Sequence, residues 1–157
     1  MAFLNSINIV GSGLTAQQLR LDVISENITN DSTTRTEGGN GTYRRKVVVF
    51  QSNSGAEDFE TAMRRAAKGL SVSEPWDSDE YIGGVRVTDI LEDPSDFKIS
   101  YDPNHPDADE DGYVSYPNVD TVKEMTDAMA ATQAFSANVT VFNAMKEVIS
   151  RGLEIGR

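Results

Sequence analysis

The sequence predicts an α+β protein in which long N- and C-terminal helices form a coiled-coil-like bundle and flank a small β-containing central domain. Three observations support this fold class. Apolar residues recur at seven-residue steps near both ends of the chain, β-rich stretches lie between them, and the elements do not alternate in a βαβ order. A chain of 157 residues is long enough for one modest domain with its own core.

The N-terminal helix is predicted from a heptad stripe. Its two tracks consist of Ile7, Leu14, Leu21 and Ile28, and of Phe3, Val10 and Ile24, with Gln17 as a polar exception. Such a narrow stripe is typical of a helix that packs against another helix. Gly11 and Gly13 each cost about 1 kcal/mol relative to alanine inside a helix, so packing has to offset that loss.

The C-terminal segment carries a second stripe and predicts a helix from about residue 120 to residue 154. Its two tracks consist of Met125, Val139 and Leu153, and of Ala128, Phe135, Phe142 and Ile149. Asn118 or Asp120 can cap the start of this helix. We expect the two terminal stripes to pair, and the pattern alone allows both a helical hairpin within one chain and a bundle between chains.

Three central stretches predict β-strands. They are TYRRKVVVF at 42–50, VRVTDIL at 85–91 and FKISY at 97–101, which are rich in β-branched and aromatic residues or alternate in polarity. We expect the last two to form a hairpin around 92–96.

The segment that follows the first predicted strand has a different character. Residues 54–69 begin with capping-box spacing and carry an apolar helical face, so they predict a short helix. Residues 73–84 are rich in acids and turn formers and predict an exposed loop that contains Trp76.

The charge is concentrated in the centre of the chain. Residues 54–116 contain 16 acidic and 5 basic residues, which accounts for the whole net charge of −11. Nucleic acid is therefore not expected as a partner, because phosphate binding needs concentrated Lys and Arg. Direct membrane insertion is not expected either, since no apolar run approaches the roughly 20 residues that cross a bilayer.

The acidic run DADEDG at 107–112 raises the alternative of a calcium-responsive binding module. Asp107, Asp109, Asp111 and Gly112 match the first, third, fifth and sixth positions of a calcium loop. The match then fails, because Asn118 stands where the loop needs a bidentate glutamate. A solvated acidic turn is the simpler interpretation, and the calcium module is kept as the second hypothesis.

Other chemistry finds little support in the sequence. The chain has no cysteine, and its single histidine, His105, has no second imidazole or thiolate to complete a metal site or a catalytic triad. Gly11–Gly13 lacks the pattern of a nucleotide-binding loop. We therefore predict no catalytic residues, no metal site and no cofactor, and we expect a protein that is not an enzyme.

Several longer stretches resemble a known family. GLTAQQLRLDVISENITN, GTYRRKVVVF, YDPNHPDADEDGYVSYPNVD and ANVTVFNAMKEVISRGLEIGR are similar to the FlgC-type proximal rod proteins of the bacterial flagellar basal body. The resemblance implies an N-terminal rod helix at 1–34, a central domain at 35–116 with a variable insertion at 54–84, and a C-terminal rod helix at 117–157.

The resemblance also implies a function. Such a subunit is exported through the flagellar type III apparatus without a cleaved signal peptide and joins a hollow axial rod in the periplasm that transmits torque. Its partners are copies of itself, other rod proteins and the adaptor that joins the rod to the membrane ring.

Two sets of residues are expected to carry this role. The assembly interface is expected to comprise Ile7, Val10, Leu14, Leu21, Ile24, Ile28, Met125, Phe135, Val139, Phe142, Ile149 and Leu153. The family-motif loop is expected to comprise Asp102, Pro103, His105, Pro106, Asp107, Asp109, Gly112, Tyr113, Pro117 and Asn118. We expect this loop to shape a structured lead-in to the C-terminal helix.

Overall fold

The computed structural model describes residues 2–36, 41–53, 63 and 83–155. Its elements are, in chain order, α1 (Ala2–Thr29), β1 (Lys46–Ser52), β2 (Val85–Glu92), β3 (Lys98–Tyr101), β4 (Tyr113–Tyr116) and α2 (Thr121–Ile155). Two long helices flank two small antiparallel sheets, which confirms the predicted α+β class. The helix predicted at 54–69 and the loop around Trp76 lie outside the described residues, apart from Met63, Gly83 and Gly84.

The two helices pack against each other in antiparallel orientation. Near one end of the pair, Asn27 of α1 donates a hydrogen bond to Glu124 of α2. Further along, Gly13 lies against Asn138. Fourteen residues separate these contacts on each helix, so the same register holds between them. In this register the first residues of α1 lie near Ile149, and the last turn of α2 extends beyond α1.

The face that α2 turns toward α1 differs in part from the predicted stripe. Glu124 and Ala131 are fully buried, whereas Met125 and Leu153 are 54% and 71% exposed. The buried track lies one residue earlier than the predicted one and contains a charged residue, which a search for apolar residues overlooks. Small residues such as Ala16 and Ala131 at this face let the helices approach closely.

The start of α2 follows the predicted capping chemistry. Asp120 Oδ1 accepts hydrogen bonds from the backbone N–H groups of Val122 and Lys123, at 3.1 and 3.4 Å. These bonds satisfy two of the donors that a helix leaves free in its first turn. Of the two predicted caps, Asp120 therefore caps the helix, and Asn118 bonds elsewhere.

The strand pairing corrects the predicted hairpin. β2 pairs with β1, and β3 pairs with β4, so 85–91 and 97–101 belong to different sheets. The connection between them does not form a tight turn, because the Asn118 amide and the Arg44 guanidinium both donate to the carbonyls of Asp93 and Ser95. The fourth strand, Tyr113–Tyr116, was not predicted.

The β1–β2 sheet lies along α1. At one end, the Asn27 side chain bonds both the N–H and the C=O of Lys46. At the other end, Ser12 Oγ accepts the Val85 N–H at 3.1 Å, and a methyl group placed on Gly83 would lie 3.1 Å from Ile9. The sheet is thus held to α1 at both ends.

In the described part of the chain, neither helix is long and apolar enough to cross a membrane.

Candidate assembly interface

A polar cluster with a buried centre joins the two helices to the strands, and we name it the polar joint: Asn27, Tyr43, Arg45, Asp93 and Glu124. At its centre lies Asn27, which is 1% exposed. Its amide nitrogen donates to the Lys46 carbonyl and to Glu124 Oε2, at 2.9 and 3.1 Å. Its oxygen accepts from the Tyr43 hydroxyl and the Lys46 N–H, both at 2.9 Å. All four hydrogen-bonding positions of this amide are therefore used.

Arg45 links Glu124 of α2 to Asp93, which directly follows β2. Its Nε lies 2.8 Å from Oε1 of the fully buried Glu124, and its Nη1 lies 3.2 Å from Asp93 Oδ2. Its backbone N–H donates to Asn118 Oδ1 at 2.8 Å. A charge-assisted pair of this kind compensates the desolvation of Glu124, which would be costly for an unpaired buried carboxylate.

The pKa values of the joint follow its geometry. Burial, together with the nearby charges of Glu26, Glu124 and Glu92, raises the pKa of Tyr43 to about 12. Burial alone would lower the pKa of Arg45, but its hydrogen bond with Glu124 and the charge of Glu124 outweigh this and raise it. The pKa of Asp93 is lowered by hydrogen bonds from Ser95 and by Arg45. The joint therefore holds a neutral phenol beside a paired guanidinium and carboxylate.

The acidic run lies in the loop between β3 and β4, and internal hydrogen bonds shape it. Asp109 Oδ1 accepts the N–H groups of Asp111 and Tyr113, at 3.1 and 2.7 Å. Asp107 Oδ2 accepts a hydrogen bond from the Thr34 hydroxyl at 2.8 Å, and Asp107 Oδ1 lies 2.8 Å from Nη2 of Arg35. Among the described residues, no three carboxylate, histidine or cysteine side chains are placed to hold a metal ion. The calcium hypothesis is therefore not supported.

The rest of the predicted loop organises the approach to α2. Asp102 donates its N–H to the Gly112 carbonyl at 3.0 Å, and Gly112 has a φ of +82°, which favours glycine. His105 Nδ1 accepts the Asp107 N–H, and Pro117 is buried. Pro103 and Pro106 are exposed, and the half-buried Asn118 binds the connection that leaves β2.

The structure places the predicted assembly residues in three environments. Val10 and Ile24 are buried. The half-buried group consists of Ile7, Leu14, Leu21, Ile28, Phe135, Val139 and Ile149. Met125, Phe142 and Leu153 are exposed. The interior of the helix pair thus takes up only part of this set, and the role of the set in assembly stays a prediction.

Sequence reasoning missed two groups of residues. The first is the pairing of Arg45 with Glu124 and Asp93, for which an acid in the first turn of α2 was the available signal. The second is a set of apolar side chains that α2 exposes outside its predicted tracks. They are Val122, Met129, Val141 and Val148, which are 44% to 75% exposed. Exposed apolar side chains that form a contiguous patch are typical of a surface that binds a partner.

Both ends of the chain match families of flagellar proteins. Residues 7–35 match the family described as flagella basal body rod protein. Residues 110–155 match the family described as flagellar basal body rod FlgEFG protein C-terminal. The class that these ends define is the flagellar basal-body rod proteins.

Relatives narrow this class. The chain is 42% identical to the flagellar basal-body rod protein FlgC of Bacillus subtilis, with both chains covered completely. It is 42% identical to FlgC of Borreliella burgdorferi over 99% of this chain and 98% of the relative. It is 40% identical to FlgC of Escherichia coli O6:H1 over the whole of both chains. The chain belongs to the FlgC family of flagellar basal-body rod proteins, and it is a structural subunit of that rod, where it assembles with other rod components.

Proposed function

We propose that this subunit builds the proximal part of the rod by covering the outward apolar side chains of α2 with helices of neighbouring subunits. The observation that carries this proposal is the exposure of α2. Met129 is 66% exposed and Val148 is 62% exposed, and both lie away from the side that Glu124 and Ala131 turn toward α1. Leu153 is 71% exposed because it lies beyond the end of α1. Burial of such side chains between subunits would supply part of the free energy of assembly.

In this proposal the rod is a hollow axial tube that transmits torque. Close-packed helical seams tolerate little change in volume, so a tube built from them resists twisting. The polar joint contributes to stiffness within each subunit, because it fixes the start of α2 against α1 and β1. No step of this role needs catalysis, a cofactor or a metal, and the proposed subunit is not an enzyme.

The proposal includes the route and the neighbours of the subunit. The chain is exported unfolded through the flagellar type III apparatus to the periplasmic rod. There it contacts copies of itself, other rod proteins and the adaptor to the membrane ring. The division into rod helices at 1–34 and 117–157 and a central domain at 35–116 belongs to the same proposal.

Val148→Asp tests the assembly surface. The side chain is exposed, so the free subunit should keep its fold and its melting temperature, while a charge in a subunit contact should abolish motility. Basal bodies isolated from cells that carry this variant should lack the rod. Asn143→Asp is the matched control, since it adds the same charge at an exposed polar position of α2.

Two results would separate the possible failures. Normal swimming and intact rods with Val148→Asp would contradict a role for this face in assembly. Loss of the melting transition in purified Val148→Asp would show instead that the side chain stabilises the subunit itself, which also contradicts the proposal. Asn143→Asp is expected to swim normally.

A further inference from the structure

The β3–β4 sheet exposes an apolar face on the side opposite its buried residues, and we name this the outer β face: Ile99, Tyr101 and Tyr113. In the strand register, Tyr101 pairs with Tyr113. Ile99 lies two residues before Tyr101 and therefore on the same side. The three side chains are 71%, 64% and 47% exposed, whereas Val114, on the opposite face, is 1% exposed. Solvent thus meets the apolar face of this sheet.

The outer β face is held in one shape. The rings of Tyr101 and Tyr113 pack edge to face with their centroids 5.3 Å apart. A methyl group placed on Gly112 would lie 3.0 Å from Tyr101 Cε2, so the ring rests against the glycine backbone. Aromatic side chains that are already ordered lose little conformational entropy on binding, and tyrosine is enriched at protein interfaces.

The charge beside this face indicates the chemistry of its partner. The loop that joins the two strands carries Asp109, Glu110 and Asp111, all exposed. Arg35 neutralises Asp107 in this loop. The remaining acids create a negative potential next to the aromatic pair, which favours a partner with basic side chains.

A second copy of this chain fits this chemistry poorly. Eight of the ten lysines and arginines that the structure describes already contact an acid, a carbonyl, an amide or an aromatic ring of their own chain. The other two, Lys123 and Lys146, lie on α2, and the chain as a whole has a net charge of −11. Two copies of this negatively charged chain would therefore repel each other at the outer β face.

We infer that the outer β face docks a basic, apolar-bearing surface of a different rod protein. This inference rests on the proposed function and adds a contact that is separate from the helical surface. Such a contact gives the acidic loop a role in choosing a neighbour, since a like-charged copy is disfavoured and a basic chain is attracted.

Photo-crosslinking from within the rod identifies the occupant. The variant Tyr101→p-benzoylphenylalanine keeps an aromatic ring at the centre of the face, and it is irradiated in isolated basal bodies. The expected product joins this chain to another rod protein at a peptide that contains Lys or Arg. A product with a second copy, a product within the same chain, or no product in rods that contain the variant would overturn the inference.

Substitutions measure the two contributions separately. The double variant Ile99→Ser and Tyr101→Ser should reduce the amount of subunit in isolated rods by about tenfold or more. The melting temperature of the free double variant should stay within a few degrees of the wild-type value. Tyr101→Phe should be incorporated normally. Glu110→Lys with Asp111→Lys should reduce incorporation, and Glu110→Gln with Asp111→Asn should reduce it less.

Failure of this inference can be told apart from failure of the proposed function. If Ile99→Ser with Tyr101→Ser is incorporated like the wild type while Val148→Asp is not, the outer β face is not a contact and the rod function stands. If wild-type chain is absent from isolated rods, the proposed function itself fails, and the inference fails with it.

Discussion

At the scale of single residues, the fold depends most on Asn27. This side chain is buried and makes four hydrogen bonds, to Tyr43, to Glu124 and to both backbone groups of Lys46. The first helix, the first strand and the second helix therefore meet at a single amide. Part of this could be predicted, because Asn27 lies in GLTAQQLRLDVISENITN, a stretch that resembles the family, but its hydrogen-bond partners lie 16 to 97 residues away in the chain.

Asn27→Ala should lower the free energy of unfolding by roughly 3 to 5 kcal/mol, since it leaves several buried polar groups without partners. Asn30→Ala is the control. Within the described part of the chain, the Asn30 side chain bonds only the nearby Glu26 and Thr33, so its loss should cost about 1 kcal/mol or less. Urea denaturation followed by circular dichroism measures both values. Equal losses for the two variants would contradict the role of the joint.

Tyr43 makes stability depend on pH in the alkaline range. Its pKa is raised to about 12 in the folded protein, above the ordinary value of 10.0. A raised pKa of an acid means that the folded state favours the neutral phenol, so this contribution is complete below pH 10.0 and is lost as pH rises through about 12.

The variant Tyr43→Phe tests this dependence. It should be less stable than the wild type at pH 8, because Asn27 loses a hydrogen-bond donor. Between pH 10 and pH 12, however, the wild type should lose stability more steeply, so the difference between the two proteins narrows. Denaturation curves at a series of pH values give this difference directly, and a constant difference would contradict the assigned pKa.

At the scale of the elements, both long helices follow from heptad periodicity, but their packing does not. The side of α2 that faces α1 includes Glu124 and Asn138. A search for apolar residues overlooks both of these polar side chains. The strand pairing could not be predicted either, because β1, the partner of β2, precedes β2 by more than thirty residues in the chain. β4 could have been found from the alternation in YVSY at 113–116.

The two glycines of α1 test how closely the helices pack. Among the residues that the structure describes, a methyl group on Gly11 meets nothing within 4 Å, so Gly11→Ala should stabilise the protein by about 1 kcal/mol. A methyl group on Gly13 would lie 3.0 Å from Asn138 Nδ2, so Gly13→Ala should gain much less.

A double-mutant cycle between Gly13→Ala and Asn138→Ala makes this comparison sharper. In the Asn138→Ala background, the crowding is removed, and Gly13→Ala should gain about as much as Gly11→Ala does. Thermal unfolding of the purified variants gives all the values. An equal gain from the two glycine variants in the wild-type background would show that the helices do not meet closely at this point.

At the scale of the whole molecule, the two ends of α2 differ, because the polar joint holds its start and α1 does not cover its last turn. The start of α2 is held by Asp120, Glu124 and Arg45, whereas the last turn of α2 extends beyond α1 and leaves Leu153 exposed. A helix end without tertiary packing opens at low cost in free energy. The subunit should therefore be firm around the joint and complete its C-terminal end only in the rod.

Amide hydrogen exchange of the free subunit and of isolated rods tests this account most directly. Residues 121–135 should be protected in both states, because the polar joint and α1 already hold them. Residues 150–155 should exchange rapidly in the free subunit and become protected in the rod. Equal and strong protection of residues 150–155 in the two states would show that the helix is complete without neighbours and would contradict the account.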